Sequence, residues 1–125
     1  MSRKTILIVD NDRDVRFVLA AILNYDGYHV VEAADGVEAV EIAQRMVPDL
    51  VIMDIHMPRL NGIQAAEALR ADERTSAVPV VALTGEPLDE PAQAARARAA
   101  FHSRLWKPVE AKTLRERIRE IIGDP

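Results

Sequence analysis

Leu50-Val51-Ile52-Met53 is an unbroken apolar run that ends in a single carboxylate, Asp54, after which Pro58 and the Asn61-Gly62 pair predict a turn. A run that is apolar at successive positions fits a strand covered on both faces, as in parallel sheets packed between helices. Residues 5–9 repeat the pattern and end in Asp10-Asn11-Asp12. Residues 28–33 mix His29 and Glu32 with valines and suit a sheet edge. Residues 78–83 form another apolar strand, with Pro79 tolerable only near its start, and run into Thr84-Gly85. Residues 103–106 predict a short edge strand leading into Lys107-Pro108.

The segments between these runs change to helical period. Val15, Val18, Leu19, Ile22 and Leu23 define a first helix, with Asn11 or Asp12 as its cap and Asp26-Gly27 as its end. Asp35 with Glu38 three residues on opens a second helix, whose apolar face is Val40, Ala43 and Val47 and which ends before Pro48. Ile63, Ala66 and Leu69 line a third helix that gives out near Thr75-Ser76. Residues 87–100, rich in Ala and Arg, predict a fourth with a thin apolar face, and Leu114, Ile118, Ile121 and Ile122 a strongly amphipathic fifth. Five strands alternating with five helices argue for a parallel sheet with right-handed crossovers. The doubly wound, flavodoxin-like order 2-1-3-4-5 puts the strands ending in Asp10 and Asp54 side by side at the centre, with the topological switch point between them. Asp10, Asp54, Thr84 and Lys107 then meet in one crevice.

At 125 residues, 49% of them hydrophobic and 29% charged, the chain is expected to form one domain over residues 1–125. Its positively charged start is followed by only five residues before Asp10, too few for the apolar part of a signal peptide. No membrane-spanning run occurs, so a cytoplasmic location with no membrane partner is expected. The absence of Cys excludes disulfides, thiolate catalysis and thiolate metal sites. The net charge of -4 is uneven: residues 91–125 hold eight Lys or Arg against four Asp or Glu, and the preceding residues eight against sixteen. Solvated helix faces account for this more simply than an acidic partner does, and direct nucleic-acid binding is not expected.

Carboxylates gathered at one end of a sheet repel one another unless a cation joins them. An all-oxygen cluster of Asp10, Asn11 or Asp12, and Asp54 suits a hard divalent ion, Mg²⁺ in particular. Asp54, at its centre, is the candidate nucleophile toward phosphorus. Lys107 would supply a cation and Thr84 a hydroxyl to the transferred group. Each residue alone has a plainer explanation, as a helix cap, a surface turn or a loop start; their coincidence at four strand ends points to a phosphoryl site. His56 is expected to be an exposed turn residue, and Trp106 to cover core.

At these residues the chain closely resembles the receiver domain of two-component response regulators. The resemblance runs from Thr5 to Ile122 through Ile-Leu-Ile-Val-Asp10, Met-Asp54-Ile-His-Met-Pro58 with Gly62 eight residues after the Asp, Ala-Leu-Thr84-Gly85 and Lys107-Pro108. It implies that Asp54 accepts a phosphoryl group from a histidine kinase, a phosphotransfer protein or a small phosphodonor. It also implies a cis peptide at Lys107-Pro108, and Mg²⁺ held by the residues after the first strand (Asp10, Asn11), by Asp54 and by the backbone carbonyl of His56. Two positions depart from the pattern. Asn11 stands where receivers usually carry a second acid, and is expected to weaken Mg²⁺ binding relative to Asp. Arg104 stands where they often carry Tyr or Phe, and is expected to act with Thr84 in the switch by moving between solvent and an acid such as Glu86 or a partner's carboxylate.

The resemblance thus implies a protein-interaction switch rather than an enzyme, with an unidentified protein target. Output is expected through the face of the fourth helix, fifth strand and fifth helix, which also offers a route to a homodimer. No output domain follows within the 125 residues. One alternative is a Mg²⁺-dependent phosphatase of the haloacid dehalogenase type, but that family wants an acid two residues after its nucleophile, where this chain has His56. The other is a receiver-shaped module that binds partners without phosphorylation.

Overall fold

The computed structural model describes residues 3–57 and 59–125. Pro58, assigned above to the turn after Asp54, lies outside the described residues, as do the first two residues of the charged start. The elements alternate as β1 (Thr5–Val9), α1 (Arg13–Asp26), β2 (His29–Ala33), α2 (Gly36–Met46), β3 (Leu50–Asp54), α3 (Gly62–Ala71), β4 (Val80–Thr84), α4 (Pro91–Ala100), β5 (Ser103–Trp106) and α5 (Ala111–Ile122). All four strand pairings are parallel and the order is β2-β1-β3-β4-β5, as the pattern predicts.

The apolar runs are unbroken because both sheet faces are covered. Leu7, Val9, Val51, Met53 and Val80 point to one side, where Ala39, Ala43, Ala65, Ala66 and Leu69 of α2 and α3 close over them. Ile6, Ile8, Leu50, Ile52, Val81, Leu83 and Leu105 point to the other, against Leu19 and Leu23 of α1 and Leu114 and Ile118 of α5. At about 25 cal/mol per Å² of apolar surface, these layers dominate the free energy of folding and hold the strand ends in fixed register.

Side-chain capping moves two helix boundaries from their expected places. The helix α3 stops at Ala71, not near Thr75-Ser76, because the Asp72 carboxylate accepts from the Arg74 amide and draws the chain into a turn. The start of α4 is Pro91, not residue 87: Glu90 caps it through the Ala92 and Gln93 amides, and proline suits the first helical position, where no amide bond is lost. In α1 it is Asp12 that caps, its carboxylate accepting from the Asp14 amide. Val18 does not belong to the buried face of that helix; together with Phe17 and Tyr25 it stands exposed on it. The Lys107-Pro108 peptide is cis.

Candidate phosphoryl-transfer site

The register brings the site together. Val9 pairs with Met53, so Asp10 and Asp54 leave adjacent strands at the same level, and Thr84 pairs with Trp106, so Lys107 follows directly beside it. The Lys107 amide donates to the Thr84 carbonyl at 2.8 Å, extending the ladder by one bond. The helix α3 approaches Asp54 closely: a Cβ on Gly62 would stand 2.2 Å from the Asp54 carbonyl oxygen and 2.8 Å from Ile55 Cα, a space only glycine leaves free. The Gly62 amide donates to the Ile55 carbonyl there at 2.9 Å.

Asp10, Asp54 and Thr84 are all buried. Lys107 Nζ lies 2.8 Å from Asp10 Oδ2 and 3.4 Å from Asp54 Oδ2, a cation shared by two carboxylates. The Asp12 amide donates to Asp10 Oδ1 at 2.9 Å and the His56 amide to Asp54 Oδ1 at 3.2 Å. Burial pushes the Asp54 carboxyl above its ordinary value, and the Asp10 charge adds to that push; Lys107 and the His56 amide oppose both without cancelling them. For Lys107 burial is the largest single influence and disfavours the ammonium, but the close contact with Asp10 and the charges of Asp54 and Asp10 together outweigh it, so its pKa is raised.

The residues present fit a hard divalent cation. Asp10 Oδ2 is buried and takes no hydrogen bond of acceptable angle, although the Lys107 ammonium lies 2.8 Å away, so one acceptor oxygen is left with charge contact alone. No three His, Cys, Asp or Glu side chains among the described residues cluster as a metal site by themselves. The two buried acids would therefore be completed by neutral oxygens, for which the Asn11 amide and the His56 carbonyl are the candidates. Asp12 has its Oδ1 committed to capping α1.

One expectation about a side chain needs correction: Trp106 does not cover core but stands 48% exposed. Arg104 is exposed beside it, its guanidinium 4.8 Å above the Trp106 ring centroid in a cation–π stack. His56 is exposed, as expected. The sequence reading missed Arg16, whose guanidinium donates to the Asp10 carbonyl; its place six residues after Asp10 is a signal only once α1 is known to lie over the end of β1.

A family model matches the chain over most of its length. The model of the response regulator receiver domain matches residues 6–119. The chain belongs to that family. It is similar to protein PilH of Pseudomonas aeruginosa, 38% identical over 118 residues that cover 94% of this chain and 97% of PilH. It is also 34% identical over 122 residues to the probable transcriptional regulator ycf27 of Porphyridium aerugineum, spanning 98% of this chain but about half (49%) of that protein. Among solved structures, the receiver domain of the sensor histidine kinase PA1611 of Pseudomonas aeruginosa superposes with a TM-score of 0.89 at 32% identity, covering 98% of this chain and 100% of that one. That receiver has a magnesium ion coordinated in its active-site cleft. This chain is thus a receiver domain of two-component signalling, a family whose members typically signal rather than turn over substrate. No helix among the described residues is long and apolar enough to cross a membrane.

Proposed function

We propose that this receiver accepts a phosphoryl group on Asp54 from a phosphohistidine of a histidine kinase or phosphotransfer protein, or from a small acyl phosphate, and that a protein partner reads the modification. The observation that carries this reading is the convergence on one buried carboxylate of Asp10, Lys107 and the strand ending in Thr84. An Asp54 oxygen attacks phosphorus; the new P–O bond forms as the P–N bond to imidazole breaks, and the bonding pair leaves on the imidazole nitrogen, which takes a proton from solvent. With an acyl phosphate it is the P–O bond to the acyl group that breaks, and the pair leaves on the carboxylate oxygen. Lys107, already 3.4 Å from Asp54, can follow the charge onto the phosphoryl oxygens, and Thr84 can donate its hydroxyl to one of them. Asp10, Asn11, Asp54 and the His56 carbonyl would hold Mg²⁺, which when bound neutralises charge on the transferred group.

The read-out begins at Thr84. Its hydroxyl donates to the Glu86 carbonyl, so turning to a phosphoryl oxygen releases the segment after β4. Pro87 and Leu88 of that segment line a groove of about 560 Å³ together with Phe101, Arg104 and Trp106. A signal leaving by α4, β5 and α5, to a protein target or a second copy, would pass through this groove. The phosphatase alternative gains nothing, since His56 stands where its second acid is wanted. Intact-mass analysis after incubation with Mg²⁺ and acetyl phosphate tests the reading: one phosphoryl group is gained, decays with time, and is absent from Asp54→Asn. A wild type that stays unmodified would contradict it.

A further inference from the structure

We infer that Arg16 is a positioning residue for the cation site: its guanidinium holds the Asp10–Asn11 peptide in the orientation that turns both side chains toward the same ion. This rests on the reading of Asp10 and Asn11 as cation ligands and deepens it.

Arg16 leaves α1 and crosses the end of β1 to reach β2. Its side chain is only 15% exposed. Nη1 donates to the Asp10 carbonyl at 2.5 Å and Nε to Glu32 Oε1 at 3.2 Å. The Asp10 amide donates to the Ala33 carbonyl at 3.2 Å, and Asp10 Oδ1 accepts from the Asp12 amide. Every polar atom of Asp10 except Oδ2 is therefore held by a hydrogen bond, and Oδ2 is the atom beside the Lys107 ammonium that Asp10 shares with Asp54. A planar peptide has no freedom about its own C–N bond, so fixing the Asp10 carbonyl fixes the direction in which Asn11 departs. For Asn11 this direction matters more than for an acid, because an amide oxygen has no net charge to attract an ion from a poor angle. A guanidinium can serve the carbonyl and Glu32 at once through its planar fork, whereas an ammonium is a single point of charge.

The sign of the effect distinguishes this role from a general electrostatic one. Arg16 is a positive charge near a site for a divalent cation, so by Coulomb's law alone its removal would tighten Mg²⁺ binding. Positioning demands the opposite. Mg²⁺ is titrated into wild type, Arg16→Gln and Arg16→Lys without any phosphodonor, following backbone amide shifts and the Asn11 side-chain amide by NMR. Arg16→Gln is expected to raise the Mg²⁺ Kd roughly tenfold, the low end for loss of a group that orients a metal ligand. Arg16→Lys, with charge unchanged, should raise it by less but measurably. An Arg16→Gln protein that binds as tightly as wild type, or more tightly, overturns the inference; if that variant does not fold, an unchanged Kd for Arg16→Lys does so. Because no phosphoryl group is involved, failure of Asp54 as acceptor leaves this experiment intact. A wild type that binds no Mg²⁺ would remove the shared ligand assignment instead.

Discussion

The Thr84 hydroxyl donates to the Glu86 carbonyl across 2.5 Å, and the Glu86 amide returns a weaker bond to the same oxygen at 3.3 Å. The hydroxyl proposed to sense a phosphoryl group on the neighbouring strand is thus already spent on closing the loop after β4. On the proposed reading, phosphorylation and the loop would compete for one hydrogen bond, worth about 1 kcal/mol.

Thr84→Val keeps the shape of the side chain and removes the competition. The variant should still be phosphorylated at Asp54, but the change in amide-exchange protection over residues 85–91 that accompanies phosphorylation in wild type should disappear. Hydrogen exchange followed by mass spectrometry reads both. An undiminished change in the variant would mean that the loop is moved by something other than Thr84.

The raised pKa of Asp54 has a stability consequence whose sign is fixed. The folded protein holds this proton more tightly than the unfolded chain does. The stability that the group contributes is therefore complete below the ordinary value of 3.8 and is lost as pH rises through the raised one. At neutral pH the ionised carboxylate is a net cost, so Asp54→Asn should melt at a higher temperature than wild type, the gap narrowing as pH falls toward 4. A variant less stable than wild type at pH 7 would show that Asp54 is stabilised by Lys107 more than it is penalised by burial and Asp10.

Gly62→Ala drives a methyl group into the Asp54 carbonyl, a contact with backbone atoms that no side-chain rotation relieves. Destabilisation of about 2–3 kcal/mol is expected, at the upper end for overpacking. Phosphorylation by acetyl phosphate should fall with it, because α3 can only yield by moving the strand end that carries Asp54, the proposed nucleophile. Urea denaturation and the phosphorylation rate check the two effects; a loss under 0.5 kcal/mol, about the scale of a neutral surface change, would contradict the close approach.

Among the described residues, three of the five large hydrophobic side chains that stand exposed lie on α1: Phe17 (72%), Val18 and Tyr25 (87%). This helix begins two residues after Asn11, beside the site at which the proposed phosphohistidine-bearing donor would dock. Phe17→Ala should slow transfer from a protein donor by about tenfold, the effect of losing roughly 1.4 kcal/mol at an interface, and leave transfer from acetyl phosphate unchanged. Equal slowing with both donors would place the defect in the site itself.

Most of this architecture is legible in the chain because β1, β3 and β4 are buried on both faces, which leaves runs such as Ile6 to Val9 and Leu50 to Met53 without a polar interruption. The polar residue that ends each run is then conspicuous, and the parallel order assembles Asp10, Asp54, Thr84 and Lys107. The ends of α3 and α4 are not legible in the same way, because they depend on whether the Asp72 and Glu90 side chains turn back onto nearby amides. Periodicity places Val18 and Trp106 on elements without saying which neighbour, if any, covers them. Arg16 could not be assigned a role from spacing at all, since its partners Asp10 and Glu32 meet it only after β1, α1 and β2 have packed.

The central claim is that Asp54 carries the phosphoryl group, and the chemistry of an aspartyl phosphate offers the most direct measurement. The protein is treated with Mg²⁺ and acetyl phosphate, reduced with borohydride, which converts an aspartyl phosphate to homoserine, and mapped by peptide mass spectrometry. The account predicts homoserine at position 54 and nowhere else. Homoserine at Asp10 or Asp12, phosphate retained on His56, or no modification of any residue would contradict it.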